Sequence, residues 1–526
     1  MAIATVEGLV ATSLIAPALT LAAIALVTRA LYRSFFSPIS KIPGPFLNSM
    51  TNIPLMYHVI TGQYHMYVRS LHAKYGEVVR IGHDQVSLSN TADTRLVLAT
   101  HAFRKAPTYT KAVVFAPSTF STTDPELNKV RRRQLGNGFA MHTIKALEDL
   151  VLEHGVISLS KSWDVQLEET KQDGGSSTLV NYFYGFHGVG FDVIGSLGFG
   201  QSFNVIPEGN MEIADHVQKL LKLLSIRGLF PFFKRIQWRI QWVAPQLSHS
   251  HDYVTDFVND AIARRRKMIE ETGKPPRVDI LQKFIDAHDP VTNEKLDEAS
   301  LTSEIILLLV AGTDTTSNTL SWTVMYLMHY PEVYNRLRRE IRSKFPDLSV
   351  PIRYADAKNE VPYLTAVIYE SMRMNPSVSG RLPRTVPTEG ITLQGYHIPS
   401  SVQLCMSFAA CHRNEKTWPH PNKFDPERFM GPDSEERQRD VMVFSSGVRV
   451  CVGRNLAWVE LYTTLANLIR KYDFELPGDA PYGPHVVHTE KEFESTPVDV
   501  PGAAFTTCGP KTPKLDCWIR ISHAQQ

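Results

Sequence analysis

Cysteine is scarce: the 526 residues hold five, Cys405, Cys411, Cys451, Cys508 and Cys517. The number is odd and no two form a C-x-x-C pair, which argues against a disulfide scaffold and against a structural zinc site. Net charge is also slight, with 55 basic against 53 acidic side chains, so the chain lacks the basic excess of a nucleic-acid binder. Local basic clusters remain, Lys129 with Arg131, Arg132 and Arg133, and Arg264 to Lys267. Each can face an acidic partner or lipid, or simply be a solvated helix face. A Gly/Ser linker, a low-complexity run and a fixed-period repeat are all missing. Length alone suggests about three domains, but nothing divides the middle of the chain, which favours one large domain. No Asn-x-Ser/Thr acceptor occurs, as expected of a body that does not enter the secretory lumen.

What is present begins at the N-terminus, where Leu9 to Val27 runs almost without charge through Leu14, Ile15, Leu19, Leu21, Ile24 and Leu26. Nineteen residues are just enough to span a bilayer. A cleaved signal peptide would carry Lys or Arg before its apolar run. Here Glu7 precedes it, and Arg29, Arg33 and Lys41 follow, so an uncleaved anchor with a cytoplasmic body is expected. Lys41-Ile-Pro-Gly-Pro45 then imposes an extended stretch that ends the anchor helix. The expected division is an anchor over 1–30, a proline-rich hinge over 31–48 and a body over 49–526.

The body opens with a helix from Gln63 to Tyr75 and a strand pair at Val78 to Ile81 and Val86 to Leu88. Apolar periodicity predicts helices over Lys145 to Leu159, Ala214 to Leu224, Tyr253 to Lys267, Leu301 to His329, Pro331 to Ser343, Tyr363 to Met374 and Leu456 to Tyr472. Short strands return at Ile391 to Ile398 and Val402 to Met406. The fold class is therefore mainly α with small β-sheets.

The sharpest chemistry lies at Phe444-Ser-Ser-Gly447-Val-Arg449-Val-Cys451-Val-Gly453, just before an apolar helix. Gly447 permits a tight turn, Gly453 lets the backbone approach a planar ligand, Arg449 can neutralise a carboxylate, and Phe444 can shield a sulfur from water. At a helix N-terminus, free amides and the dipole lower a thiol pKa, and the thiolate is the form that binds iron. The bland alternative is a buried, inert cysteine. Five fixed positions coincide by chance in roughly one chain in ten thousand. The segment resembles the haem-binding loop of the cytochrome P-450 family, Phe-x-x-Gly-x-Arg-x-Cys-x-Gly, at every fixed position. The resemblance implies the P-450 fold with an N-terminal transmembrane anchor helix, and haem b lying between this loop and a long helix with Cys451 as the iron's axial ligand.

Further segments fit the same family. Glu370 and Arg373 share a helix face, and Phe424-Asp-Pro-Glu-Arg428-Phe follows. The resemblance makes Glu370, Arg373 and Arg428 a buried structural network. Ala311-Gly312-Thr313-Asp314-Thr315-Thr316 interrupts an apolar helix with polar groups that burial alone would disfavour. Gly312 and a back-bonding hydroxyl would open the helix ladder into a notch. By resemblance, Thr315 hydrogen-bonds iron-bound dioxygen and Asp314 relays protons. Arg384, with Arg381 as the competing choice, falls where the family places a basic residue on a haem propionate. Arg132 does likewise, although Asn128 stands where relatives carry Trp or His. The anchor and the Ile-Pro-Gly-Pro segment recur in microsomal members.

The implied activity is oxygen insertion into a C–H bond, using dioxygen and electrons from a separate NADPH-dependent cytochrome P-450 reductase, assisted in some members by a small b-type cytochrome. Lys129, Arg131, Arg133 and Arg454 form the expected docking patch. The substrate is expected to be lipophilic and to enter from the membrane, past residues 109–120, 220–242 and 305–311, Val378, Ser379 and Leu382. Leu229 to Arg235 and Trp238 to Trp242 are candidate interfacial lid segments or plain core. The overall look is that of a fungal enzyme of the endoplasmic reticulum membrane. Steroid hydroxylation leads, with hydroxylation or epoxidation of a terpenoid, polyketide or fatty acid in secondary metabolism as the alternative. A reductase-independent isomerase or dehydratase, or a haem carrier without turnover, would not need the acid–alcohol pair.

Overall fold

The computed structural model describes residues 2–112, 116–229, 245–490 and 493–524; residues 113–115 of the expected pocket loop and 230–242 of the expected lid lie outside the described residues. Numbering the longer helices only, α1 is Ala2–Leu31, α2 Tyr64–Tyr75, α3 Pro125–Gly136 and α4 Ser158–Gln172. Helices α5 (Tyr182–Phe199), α6 (Glu212–Leu229), α7 (Pro245–Thr272) and α8 (Glu298–His329) follow. The set ends with α9 (Pro331–Lys344), α10 (Pro362–Met374) and α11 (Arg454–Lys471).

Helix α8 is the axis of the body. Asp297 starts it by accepting the Ser300 amide at 2.8 Å, an N-cap that satisfies one of the four free amides of a helix start. Packed along it is α5, which periodicity does not reveal because it is buried on nearly every side and carries glycine instead of a polar stripe. Those glycines set the helix separation. A Cβ at Gly190 would stand 2.6 Å from Ser317 Oγ and 2.9 Å from the Thr313 carbonyl, so only glycine lets the two backbones meet here. The segment expected as one helix from Lys145 is broken instead. Short helices and a π turn with non-helical backbone at Gly155 precede α4.

Four strands form the main sheet in the order β1 (Val78–Gly82), β2 (Gln85–Leu88), β7 (Gln403–Met406), β4 (Leu382–Thr385). Strands β1 and β2 are antiparallel, β2 and β7 parallel, and β7 and β4 antiparallel with Arg384 opposite Leu404. Strands β5 (Ile391–Leu393) and β6 (Tyr396–Ile398) make a separate hairpin. In a third sheet, β11 (Trp518–His523) lies between β3 (Thr178–Asn181) and β8 (Tyr472–Glu475). The hairpin of β9 (Gly502–Ala504) and β10 (Cys508–Pro510) carries its tip, Phe505 to Thr507, to the flank of α8.

Residues 17–31 of α1 are almost wholly exposed, and Pro17–Phe36 is long and apolar enough to cross a membrane. The chain beyond it is docked rather than loose. Ile39 and Ile42 are buried against Val78 and Val86, and the Arg80 amide donates to the Pro43 carbonyl at 2.8 Å.

Candidate active site

Cys451 lies three residues before α11 and is exposed, whereas the other four cysteines are buried. Its loop is fixed through the backbone: the Cys451 amide donates to the Phe444 carbonyl at 2.8 Å, and Arg132 Nη1 on α3 donates to the Val450 carbonyl at 2.8 Å. Gly447 has φ +62°, and a Cβ there would sit 2.5 Å from Ala99 Cα, so glycine serves both the turn and a close pass of the Thr91–Ala99 helix. Gly453 has ordinary backbone and open space before it, with Cys451 Sγ the nearest atom at 4.0 Å. Phe444 packs at 5.6 Å from Trp458 under the loop.

The expectation that the helix N-terminus depresses the Cys451 thiol is not met. Although Cys451 is open on one side, the protein packed around its sulfur pushes the thiol above the ordinary value, against the pull of the Gly453 and Arg454 amides and of Arg132. A bound metal ion would reverse this direction, since a coordinating thiol gives up its proton to the metal's charge.

Helix α8 is buried along most of its length but open along Leu307, Val310, Ala311, Gly312 and Thr315. At 3.6 residues per turn, Leu307, Ala311 and Thr315 form one stripe. The expected back-bonding hydroxyl is present, within an unbroken helix. Thr315 Oγ1 donates to the Ala311 carbonyl at 2.9 Å without breaking the helix, and a Cβ on Gly312 would meet Ile194 Cδ1 at 2.6 Å, so that glycine admits α5. Asp314 is buried and faces away from the stripe. Its Oδ1 accepts from His187 Nε2 at 3.3 Å and Gln218 Nε2 at 2.8 Å, and its Oδ2 from the Thr507 hydroxyl. Burial alone would raise its carboxyl, but the hydrogen bond and charge of His187, then Thr507 and Gln218, hold it below the usual carboxylate value. The sequence gives no hint of these three partners, which come from α5, α6 and the β9–β10 hairpin.

Beside the loop, four cations converge: Arg132, Arg384, Arg449 and Lys105. Lys105 escapes sequence reasoning because its strand-like pairing with Arg384 joins distant segments. It is buried, its ammonium donates to the Phe120 carbonyl, and its pKa is driven well below normal by burial and by Arg384, Arg449 and Arg132. Arg449 is lowered to about 10 for the same reasons, and its Nη1 is buried with no partner. Among the described residues no ion pair compensates any of the four. Such a crowd is stable only against a group bearing its own negative charges. Arg381, the competing choice, turns instead toward Gln85 Oε1 at 3.3 Å. Asn128 is fully buried and donates to the Thr119 carbonyl at 3.0 Å.

Glu370, Arg373 and Arg428 do meet. Arg373 Nε and Nη2 grip the two Glu370 oxygens at 2.6 and 2.8 Å with both residues fully buried, and Arg428 Nε joins at 3.3 Å. Arg373 also donates to the carbonyls of His412, Pro421 and Lys423. The docking patch needs correction at two positions. Arg131 is buried and donates to Gln134 at 3.0 Å, and Arg133 is committed to Asp289 at 2.7 and 2.6 Å. Arg131 is withdrawn by burial and the charge of Arg133 is paired, so neither is free for a partner.

An open cysteine, an open helix stripe and uncompensated cations together fit a planar, carboxylate-bearing iron group. Comparison with known proteins agrees. The family model for Cytochrome P-450 matches residues 42–487. The chain is 33% identical to the cytochrome P-450 monooxygenase helB1 of Aspergillus fumigatus, over 95% of this chain and 84% of that protein. It is 32% identical to helB3 of the same fungus over 93% and 94%, and 28% identical to acrD of Aspergillus aculeatus over 84% and 86%. The chain therefore belongs to the cytochrome P-450 family and is a haem-thiolate monooxygenase of fungal type, using dioxygen and NADPH-derived electrons passed on by a reductase.

Proposed function

We propose that the chain oxidises a lipophilic secondary metabolite of terpenoid, polyketide or fatty-acid origin, at a carbon held between Cys451 and the Ala311–Thr315 stripe. The convergence of an open Cys451 with four uncompensated cations carries this reading of the site. Steroid hydroxylation draws no support from the relatives, whose names specify monooxygenases only. Two of them, helB1 and helB3, share a name stem and a fungus, as a set of enzymes tailoring one scaffold would.

When bound, the haem supplies reductive activation of dioxygen and insertion of one oxygen atom into a C–H bond. Cys451 would hold the haem through its thiolate. Arg132, Arg384, Arg449 and Lys105 would pair with its carboxylates, which would relieve the mutual repulsion of the cations. Thr315 would hold a proton at Oγ1 on the open stripe, and Asp314, turned from that stripe by His187, Gln218 and Thr507, would reach it only through intervening groups. The apolar stripe keeps bulk water from the reacting carbon. The anchor (1–30) and the docked hinge (31–48) set the catalytic domain (49–526) on the cytoplasmic face of the endoplasmic reticulum membrane, where the reductase and a small b-type cytochrome are available.

Membranes containing the chain and a reductase should convert lipophilic terpenoid or polyketide probes to hydroxylated or epoxidised products only with NADPH. In Thr315→Ala, NADPH consumption should persist while product per NADPH falls about tenfold. Unchanged coupling would remove Thr315 from proton delivery. Lys105→Met should lose haem to an excess of apomyoglobin about tenfold faster than the parent, since one charge-assisted bond is worth about 1.5–3 kcal/mol. An unchanged rate would detach Lys105 from the propionates.

A further inference from the structure

Glu304 is a buried carboxyl that the mechanism leaves unused. It sits on α8 seven residues before Ala311, and at 3.6 residues per turn Glu304, Ala311 and Thr315 fall within about 40° of one another around the helix. It thus lies on the same side of the helix as the open stripe, one turn beyond Leu307. By helix rise it stands about 10 Å from Ala311 and about 16 Å from Thr315.

The residue is 2% exposed, and what covers it is a loop. Oε1 accepts from the Thr119 amide at 2.6 Å and the Thr119 hydroxyl at 2.9 Å, while Oε2 takes no partner among the described residues. Next in the chain is Phe120, whose ring is exposed and whose carbonyl receives Lys105, so the loop borders the cofactor end of the site. Burial raises the Glu304 carboxyl to about 7, against the pull of Thr119 and Arg131. Pinning a loop needs no carboxyl. Ser303, one residue earlier, does so by donating to the Ala116 carbonyl at 2.7 Å. Thr119 takes up only Oε1, and Oε2 is left open to a further polar partner.

We propose that Glu304 Oε2 is the polar anchor of the substrate pocket and binds a hydroxyl group on the end of the lipophilic substrate remote from the carbon that is oxidised. The inference rests on the haem monooxygenase reading above. It makes the substrate an already oxygenated molecule, so that an earlier oxidation, carbonyl reduction or hydration supplies the hydroxyl. It also makes the enzyme select by length, because the helix fixes the separation between anchor and iron.

The haem-loaded full chain is titrated with ω-(imidazol-1-yl)alkan-1-ols from hexyl to dodecyl and with the matching 1-alkylimidazoles. The imidazole nitrogen binds iron and shifts the spectrum, and the chain then acts as a ruler toward Glu304. In the parent, the alcohol should bind about tenfold tighter than its alkyl partner at one chain length and weaker at the others, a hydrogen bond of about 1.4 kcal/mol. Glu304→Leu should abolish that preference, and Glu304→Gln should keep part of it. A parent that prefers the alkyl probe at every length overturns the proposal without any variant. Glu304→Leu with the alcohol preference intact overturns it as well. Equal weakening of both probe series would reduce Glu304 to a loop latch. Failure of the parent to give the spectrum of a thiolate-ligated carbon monoxide complex would instead strike the haem reading on which the proposal depends.

Discussion

Cys451→Ala is expected to abolish the red-shifted Soret band of the reduced carbon monoxide complex and to bring NADPH-dependent product down to the level of the reductase alone. The band depends on thiolate ligation, and thiolate donation also drives the oxygen chemistry. The fold should survive, because the loop is held by backbone bonds that alanine keeps: Cys451 amide to Phe444 carbonyl, and Arg132 to Val450 carbonyl. Far-UV circular dichroism should therefore match the parent. Cys508→Ala is the control. Its thiol is buried and pushed up to about 11, too inert to ligate iron, and the variant should keep the band. A red-shifted band in Cys451→Ala would refute the ligand assignment outright.

Glu370→Gln should be the most damaging conservative change outside the iron site. It keeps the side chain's shape but leaves Arg373 charged and fully buried, and removes the carboxylate that receives Arg428 and the Asp425 amide. Breaking such a pair from one side costs about 3–5 kcal/mol, against about 5–15 kcal/mol for a whole domain. Recovery of soluble holoprotein should collapse, and any that survives should unfold at markedly lower urea. The double variant Glu370→Leu with Arg373→Met should do less harm than Glu370→Gln, because it buries no unpaired charge. The carbonyls of His412, Pro421 and Lys423 would still lose their donor, so full recovery is not expected. Equal urea midpoints for parent and Glu370→Gln would show that the pair is dispensable.

Much of the site could be read from the chain because its parts are local. Gly447, Arg449, Cys451 and Gly453 lie within one loop, and Glu370 and Arg373 within one helical turn, so spacing alone presents them together. Contacts between distant segments could not be read in this way. His187, Gln218 and Thr507 reach Asp314 from three elements separated by most of the chain, and Lys105 reaches Arg384 across some 280 residues. Helix α5 was hidden for another reason: burial on nearly every side erases the alternation of polar and apolar residues on which periodicity depends.

By itself the sequence determined which chemistry is possible. The thiolate loop, the Asp314–Thr315 pair and the Glu370–Arg373 spacing are covalent facts of the chain, and they admit little besides haem-thiolate oxygen activation. Only the tertiary structure decided how each charge is held. It turned Asp314 away from the open stripe into three donors, took Arg131 and Arg133 out of the docking patch, raised the Cys451 thiol that a helix end alone would lower, and set Glu304 beneath the loop. The reason is common to all four. The energy of a charge depends on burial and on neighbours brought from elsewhere in the chain, and those exist only once the helices have packed.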